Sequence, residues 1–382
     1  MKEEGNLHTG NQIPSSRKQS KNGVRGHLSQ QFVMRPLLGR DLDALESLAM
    51  QASDGLASLP KNRGLLKKKC DWSESSFLSD ITHPNNELYY FLLEDEDQHP
   101  AGVSGIFSNV GVTDAIHSFQ LKQEVHEIPS LKKRWEETLL VPSIYPGGVS
   151  EICALFLSKD YRMGGVGRLL SLSRFLFMAN FPDRFQRKVM AEMRGIIDSE
   201  GRSPFWEALG RPFIHWSIND VMLMYNQDRS FIEGYMPRYP IYLSTLPEEA
   251  VLSIGQTHPS TKPALALLER EGFQQSGHVD IFDAGPKIEA ILANIRVIRD
   301  SRVVRVSEIV KGNQELNSET MLIGNTQRDF RATLGYLETK GDRIHPSGGV
   351  ISSEVALALQ VNVGDEIRFV SLFPHGEEEL SK

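Results

Sequence analysis

Residues Asp160–Ser171 read DYRMGGVGRLLS, and they follow the apolar run EICALFL at Glu151–Leu157. The branched, apolar run predicts a buried strand, and the Leu- and Phe-rich segment Gly167–Asn180 predicts a helix. Between them stand Gly164, Gly165 and Gly167. Without side chains, glycines leave room for a ligand and let successive backbone N–H groups point one way. At the start of a helix, such a turn joins free N–H groups to the positive end of the helix dipole, which favours a phosphate. Arg162 and Arg168 add positive charge beside it. A tight strand-to-helix connection would use the same glycines, so the turn by itself leaves both readings open.

Around this turn the order is strand, turn, helix, a strand at KVMAEMRG (Lys188–Gly195) and a short helix at SPFWEALG (Ser203–Gly210). Leu169, Leu170, Leu172, Phe175, Leu176, Phe177 and Met178 cover almost the whole first helix, which predicts that it is largely buried, and Pro182 marks its end. TKPALALLEREGF (Thr261–Phe273) reads as an amphipathic helix capped at Gly272, followed by a strand at HVDIFDAG (His278–Gly285). This echoes the SPFWEALG region and suggests a tandem arrangement. Upstream, Phe32–Arg35 reads as a strand, Asp41 as a helix N-cap, and ELYYFLLEDED with AGVSGIFSNVG as a hairpin. After about residue 298 short alternating segments such as RVVRVSEIV and DEIRFVSLF predict a small β-rich module. The expected division is a disordered tail over 1–30, a first domain over 31–215, a second half over 216–297 and the module over 298–382.

Composition is that of an ordinary globular chain, with 40% apolar and 24% charged residues. A net charge of -7 argues against nucleic acid as a partner, and no apolar run long enough to span a membrane occurs. Two cysteines, Cys70 and Cys153, are too few for a disulfide scaffold and lack metal-ligand spacing; they read as plain thiols of a cytoplasmic protein with no metal.

No GxxxxGK[ST] stands in the chain, and the turn gives GGxG where a dinucleotide site needs GxGxxG. What remains, R-x-x-G-x-G from Arg162 to Gly167, resembles the acyl-CoA signature of the GNAT N-acyltransferase superfamily. SEICALFLSKDYR, GRLLSLSRFLFMANFPDRF, VMAEMRGIIDSEGRSPFWEALG, MPRYPIY, IGQTHP, ALLEREGF and VDIFDAGP resemble, in order, blocks of the arginine N-succinyltransferase family over roughly residues 150–290. A thinner match reaches MRPLLGRDLDAL, the SLP at Ser58–Pro60, and FLLED. The resemblance implies a GNAT-like α/β (α+β) fold and transfer of a succinyl group from succinyl-CoA, a co-substrate and not a permanent cofactor, to the α-amine of L-arginine. It implies that Leu155 binds succinyl-CoA, that the turn of Arg162, Gly164, Gly165, Gly167 and Arg168 takes the diphosphate, and that His258 in IGQTHP is the catalytic proton donor. It also implies self-association or pairing with a related subunit.

The chain departs from the family pattern at VPSIYPGGVSEIC, where a segment like SNDHTG is usual, and at Tyr239, where a histidine is usual. Acceptor choice can change there. An acyltransferase for ornithine or another amine, and a non-catalytic CoA or amino-acid sensor, are the competing readings.

Other residues carry less. Glu192 and Arg194 share a strand face and are candidates for the substrate's cation and carboxylate, or for an internal ion pair. Cys153 reads as an inert buried thiol, and Trp206 and Tyr242 as core or cleft wall. His215 and His278 read as structural, and Lys67–Lys69 as a solvated helix face or loop.

Overall fold

The apolar runs flanking the glycine turn form the middle of one extended sheet. The computed structural model describes residues 31–373 except 53–55, 57, 313–318 and 342–345. The tail expected over 1–30 lies outside the described residues. In chain order the strands are β1 (Val33–Pro36), β2 (Leu88–Glu94), β3 (Pro100–Val110), β4 (Ile116–Ile128), β5 (Lys133–Tyr145), β6 (Val149–Leu157), β7 (Lys188–Glu192) and β8 (Ile241–Tyr242). There follow β9 (Gln274–Val279), β10 (Pro286–Ile291), β11 (Arg302–Val310), β12 (Thr320–Asn325), β13 (Ala332–Gly341), β14 (Pro346–Ser352) and β15 (Glu366–Ser371). Their order across the sheet is β12, β15, β11, β14, β13, β1, β2, β3, β6, β7, β10, β9, β4, β5, β8.

The site is positioned by one irregularity. β6 and β7 run parallel and pair only at Ser150–Val189 and Glu151–Met190. Past Glu151 they part, because β6 continues beside β3 to Leu157 while β7 follows β10. A bulge marks the parting: the β3 register slips between Val103 and Gly105, and Ala154 adopts φ +52. The N–H that the bulge turns away from the ladder donates to Ser58 Oγ at 2.9 Å. Thus the SLP stretch satisfies a backbone donor that the splayed strands leave behind.

Helices α1 (Leu42–Gln51) and α2 (Arg63–Leu78) cover one face of the sheet, packing Leu45, Leu48, Leu66 and Cys70 with Tyr90, Val103 and Cys153. Helix α3 (Val166–Asn180) covers the other, and its seven expected apolar residues are all buried. Each contributes about 1.5–3 kcal/mol by leaving water. Phe177 of α3 contacts the rings of Phe77, Tyr89, Phe91 and Phe330, tying α2, β2 and the C-terminal region into one core.

The C-terminal region is a small barrel. β12, β15, β11, β14 and β13 pair in sequence, and β12 also pairs with β13, closing the ring around Val304, Ile323, Leu337, Ile351 and Ile367. β13 joins β1 at Met34–Ala332, which docks the barrel on the main sheet.

Several local expectations need correcting. HVDIFDAG is strand only at His278 and Val279; Asp280 Oδ1 then accepts the N–H groups of Phe282 and Asp283, folding the rest into a turn. Asp41 precedes α1 but does not cap it with its side chain. Its carboxylate is taken by Arg35 at 2.7 Å and by the Leu38 N–H at 2.8 Å, since a buried guanidinium needs anionic partners. Lys67 is solvated and pairs with Asp71, whereas Lys69 lies over the rings of Tyr90 and Phe107. Trp206, Leu209 and Val221, from either side of residue 215, pack in one core, and β9 and β10 lie inside the main sheet between β7 and β4.

Candidate functional site

A groove of about 1250 Å³ opens on the α3 side of the sheet where β6 and β7 part. Leu155 and Leu157 of β6 form its floor, and the complete turn Arg162–Arg168 borders it. The helix Lys262–Arg270 forms a second wall through Pro263, Ala264 and Leu267. All six residues expected to bind the donor therefore meet in one cavity.

The turn has the backbone that its glycines suggested. Gly164 and Gly165 have φ +52 and +85, and Gly165 is the N-cap of α3. Among the described residues, the N–H groups of Gly164 and Gly165 make no hydrogen bond, so donors stand free at the dipole's positive end. A Cβ at Gly164 would meet nothing within 4 Å, and one at Gly167 only Leu157 at 3.8 Å; both face open space. Gly165 instead backs onto Leu372 and Leu334 of the barrel, at 3.3 and 3.4 Å from where its Cβ would be. Arg162 Nε donates to the Leu157 carbonyl at 3.2 Å, holding the turn at the end of β6.

His258 is not among the lining residues; it stands two residues before Ser260, which lines the groove. Its own N–H donates to the Arg194 carbonyl at 2.8 Å, so the loop is pinned to the segment leaving β7. Nδ1 accepts the Ser260 N–H at 3.2 Å and lies 2.7 Å from Ser260 Oγ. With Nδ1 an acceptor, the proton of the neutral ring belongs on Nε2. Burial, then the nearby Arg194 guanidinium, hold this imidazole below the usual histidine range.

The opposite face of the same opening is charged. Glu192 pairs with Lys287 of β10, whose side chain is 1% exposed, while the Glu192 side chain keeps 40% of its surface in contact with solvent. Asp280 lies 4.0 Å from the same ammonium. Burial pushes Lys287 down but Glu192 and Asp280 outweigh it, and burial pushes Glu192 up but Lys287 outweighs it, leaving both charged. Glu151 differs: burial, then repulsion from Glu192, push it up to about 7. Among the described residues it has neither a hydrogen bond nor an ion pair within 4 Å of its own. Arg194 lies beyond the end of β7, so it is Lys287 that supplies the ion pair of Glu192.

The remaining candidates fall where their chemistry puts them. Cys153 is buried, and burial with the neighbouring Glu151 raises its thiol far above the range of a nucleophile. Trp206 is core, its Nε1 donating to the Trp216 carbonyl at 2.9 Å; Tyr242 is 40% exposed at the surface strand β8. His278 lies 3.0 Å from Ser118 Oγ through Nδ1 and packs edge-on against Tyr145, while His215 is exposed at a helix end. Among the described residues no cluster of three metal ligands occurs. Glu151, Lys287, Asp280 and Lys69 are not among the site residues the sequence suggests, although charges set in apolar strands, Glu151 in EICALFL and Lys287 in PKIEAI, are a usable signal.

Parted parallel strands, a bare main-chain turn at the mouth of the opening and a helix starting from that turn define a protein of the N-acyltransferase class. Residues 32–297 match the family model for the arginine N-succinyltransferase beta subunit, and residues 302–371 match that for its C-terminal domain. Arginine N-succinyltransferase of Yersinia pestis is 39% identical over 348 residues, covering 89% of this chain and 97% of that one. The Escherichia coli enzyme of the same name is 36% identical over 344 residues, covering 89% and 98%. The solved structure of arginine/ornithine succinyltransferase subunit AI from Pseudomonas aeruginosa is similar with a TM-score of 0.81 and 32% identity, covering 91% of this chain and all of that one. The chain belongs to the arginine N-succinyltransferase family.

Proposed function

We propose that the protein transfers the succinyl group of succinyl-CoA to the α-amine of L-arginine. The observation that carries this reading is the groove itself: free N–H groups at the Gly164–Gly165 turn open into the same cavity as Leu155, in a chain whose family holds from residue 32 to 371. The diphosphate of the donor would rest on the turn, and the pantetheine would run along β6 toward the opening. Arginine would approach from the charged face, where Glu192 offers its carboxylate to the substrate's cation and Arg194 its guanidinium to the substrate's carboxylate.

The reaction needs no covalent enzyme intermediate. One proton leaves the ammonium for solvent, the neutral nitrogen attacks the thioester carbon, and the C–S bond breaks as the tetrahedral intermediate collapses. The nitrogen's second proton is balanced by the one the departing sulfur receives, and His258, whose neutral ring carries its proton on Nε2, would supply it. Ornithine is the second acceptor to test, because the Pseudomonas aeruginosa relative is described as acting on both amino acids.

The test is an acceptor panel with succinyl-CoA, reading thiol release and the mass of the acylated product. Succinylarginine is expected. Succinylornithine alone would move the acceptor, and donor binding without product would leave a sensor. His258→Ala should cut kcat by roughly 10²-fold or more while donor affinity stays within about twofold; equal losses in both would remove the histidine's role. We place the enzyme in the cytoplasm, where its two thiols stay reduced, and paired with a second copy or related subunit, since its family model and its Pseudomonas relative are both described as subunits. No described helix is long and apolar enough to cross a membrane.

A further inference from the structure

Among its described residues the C-terminal barrel holds none of the candidate catalytic groups, yet it supplies a wall of the donor groove. Thr320 of β12, Leu334 of β13, and Leu372 and Phe373 just after β15 all line the cavity that the glycine turn borders. Leu372 and Leu334 touch the back of Gly165. Phe373 lies beneath the guanidinium of Arg168, whose central carbon is 4.6 Å from the ring centroid. The ring is only partly buried.

The direction of the groove says what this ring could meet. Leu155 stands at the parting of the strands, where the acyl group must reach its acceptor. Two residues further along β6, about 6.6 Å at 3.3 Å per residue, Leu157 lies against Gly167 and Arg162, so the turn marks the next stage. Arg168 and Phe373 come after the turn, and Arg270 brings a further guanidinium to the same cavity. An acyl-CoA has the same order: thioester, pantetheine, diphosphate, then a phosphorylated adenosine. An aromatic ring held by a cation is a stacking platform for a base, and guanidinium groups suit its phosphate.

We propose that the C-terminal barrel completes the donor site, with Phe373 as the platform for the adenine of the acyl-CoA and Arg168 as the group that both orients the ring and meets the phosphates. This rests on the reading of the groove as a succinyl-CoA site. It gives the barrel a function in ground-state binding and none in chemistry.

The experiment compares two donors, succinyl-CoA and succinyl-phosphopantetheine, which keeps one phosphate and lacks the whole 3′-phosphorylated adenylate, on the wild type, Phe373→Ala and Phe373→Trp. For succinyl-CoA, Phe373→Ala should raise KM roughly tenfold or more with kcat unchanged, the range expected for loss of one base–aromatic stack. For the truncated donor the same variant should match the wild type, which also shows that it is folded. Phe373→Trp should restore the affinity for succinyl-CoA. Unchanged KM for succinyl-CoA in Phe373→Ala, or equal loss with both donors, overturns the platform. Wild type that binds neither donor overturns the proposed function instead.

Discussion

The two sides of the β6–β7 opening are built from opposite materials. On the α3 side the wall is main chain, glycine and apolar side chains, and its polar content includes the free N–H groups of the turn and the side chains of Arg162, Arg168 and Arg270 along its edge. On the α1/α2 side it is a packed set of charges, Glu151, Glu192, Asp280 and Lys287, from three strands and a turn. A main-chain site can recognise an anion while costing the fold little, because its donors are merely left unpaired at a helix end. A site of buried side-chain charges costs desolvation at every member, and each charge stands only while its partners do. The donor side should therefore tolerate substitution in stability but not in donor binding, whereas substitution on the charged side should lower stability while leaving donor binding unchanged.

Lys287→Met gives the largest expected effect on stability. It leaves Glu192, Asp280 and Glu151 without their shared ammonium, and should cost about 3 kcal/mol, read as a lower urea midpoint with unchanged slope. This is the low end of the usual range because water still reaches Glu192. A midpoint within error of the wild type would show that solvent already screens the charged face.

Gly167→Val on the other side should raise the KM for succinyl-CoA more than tenfold. The site for its side chain is open groove, and Gly167 lies in regular helix without a left-handed φ, so folding should be preserved. A variant that folds and binds the donor normally would mean that nothing approaches the turn closely.

Glu151→Gln is the finest discriminator. A carboxyl whose folded pKa is about 7 against an ordinary 4.5 holds its proton more tightly in the native state. Its contribution to stability is complete below pH 4.5 and is lost as pH rises to 7. The glutamine variant should therefore be the more stable protein at pH 8, by about 1–2 kcal/mol after allowing for solvent screening, and the difference should vanish toward pH 4. Thermal melts across that range check it. An equal or less stable variant at pH 8 would mean that Glu151 has a compensating cation when ionised.

Much of the donor side was legible because it is local in sequence. A strand, a glycine turn and a helix lie within one continuous stretch, Val149–Asn180, and the residue types that shape the turn are those that contact the groove. The charged side was not legible, since Glu192 and Lys287 become neighbours only through the β7–β10 register, across ninety-five positions of chain. The hairpin of β4 and β5 was missed for another reason. QLKQEVHEI and KRWEETL are mostly exposed, so no apolar face marks them, and what holds them is the backbone ladder from Ile116–Tyr145 to Ile128–Lys133. Asp41 misled because the same carboxylate suits a helix cap or a buried arginine, and only the fold brings Arg35 to it.

Sequence alone determined the strand, turn and helix that make the anion-receiving main chain, together with the family to which it belongs, because backbone preference and spacing act over a few residues. Tertiary structure decided which groups stand opposite that turn. It bent β6 away from β7, gathered the charges behind them, and brought Leu372 and Phe373 against a turn some two hundred residues earlier. Contacts of that kind follow from strand register and from the docking of one core on another, and no short-range pattern encodes either.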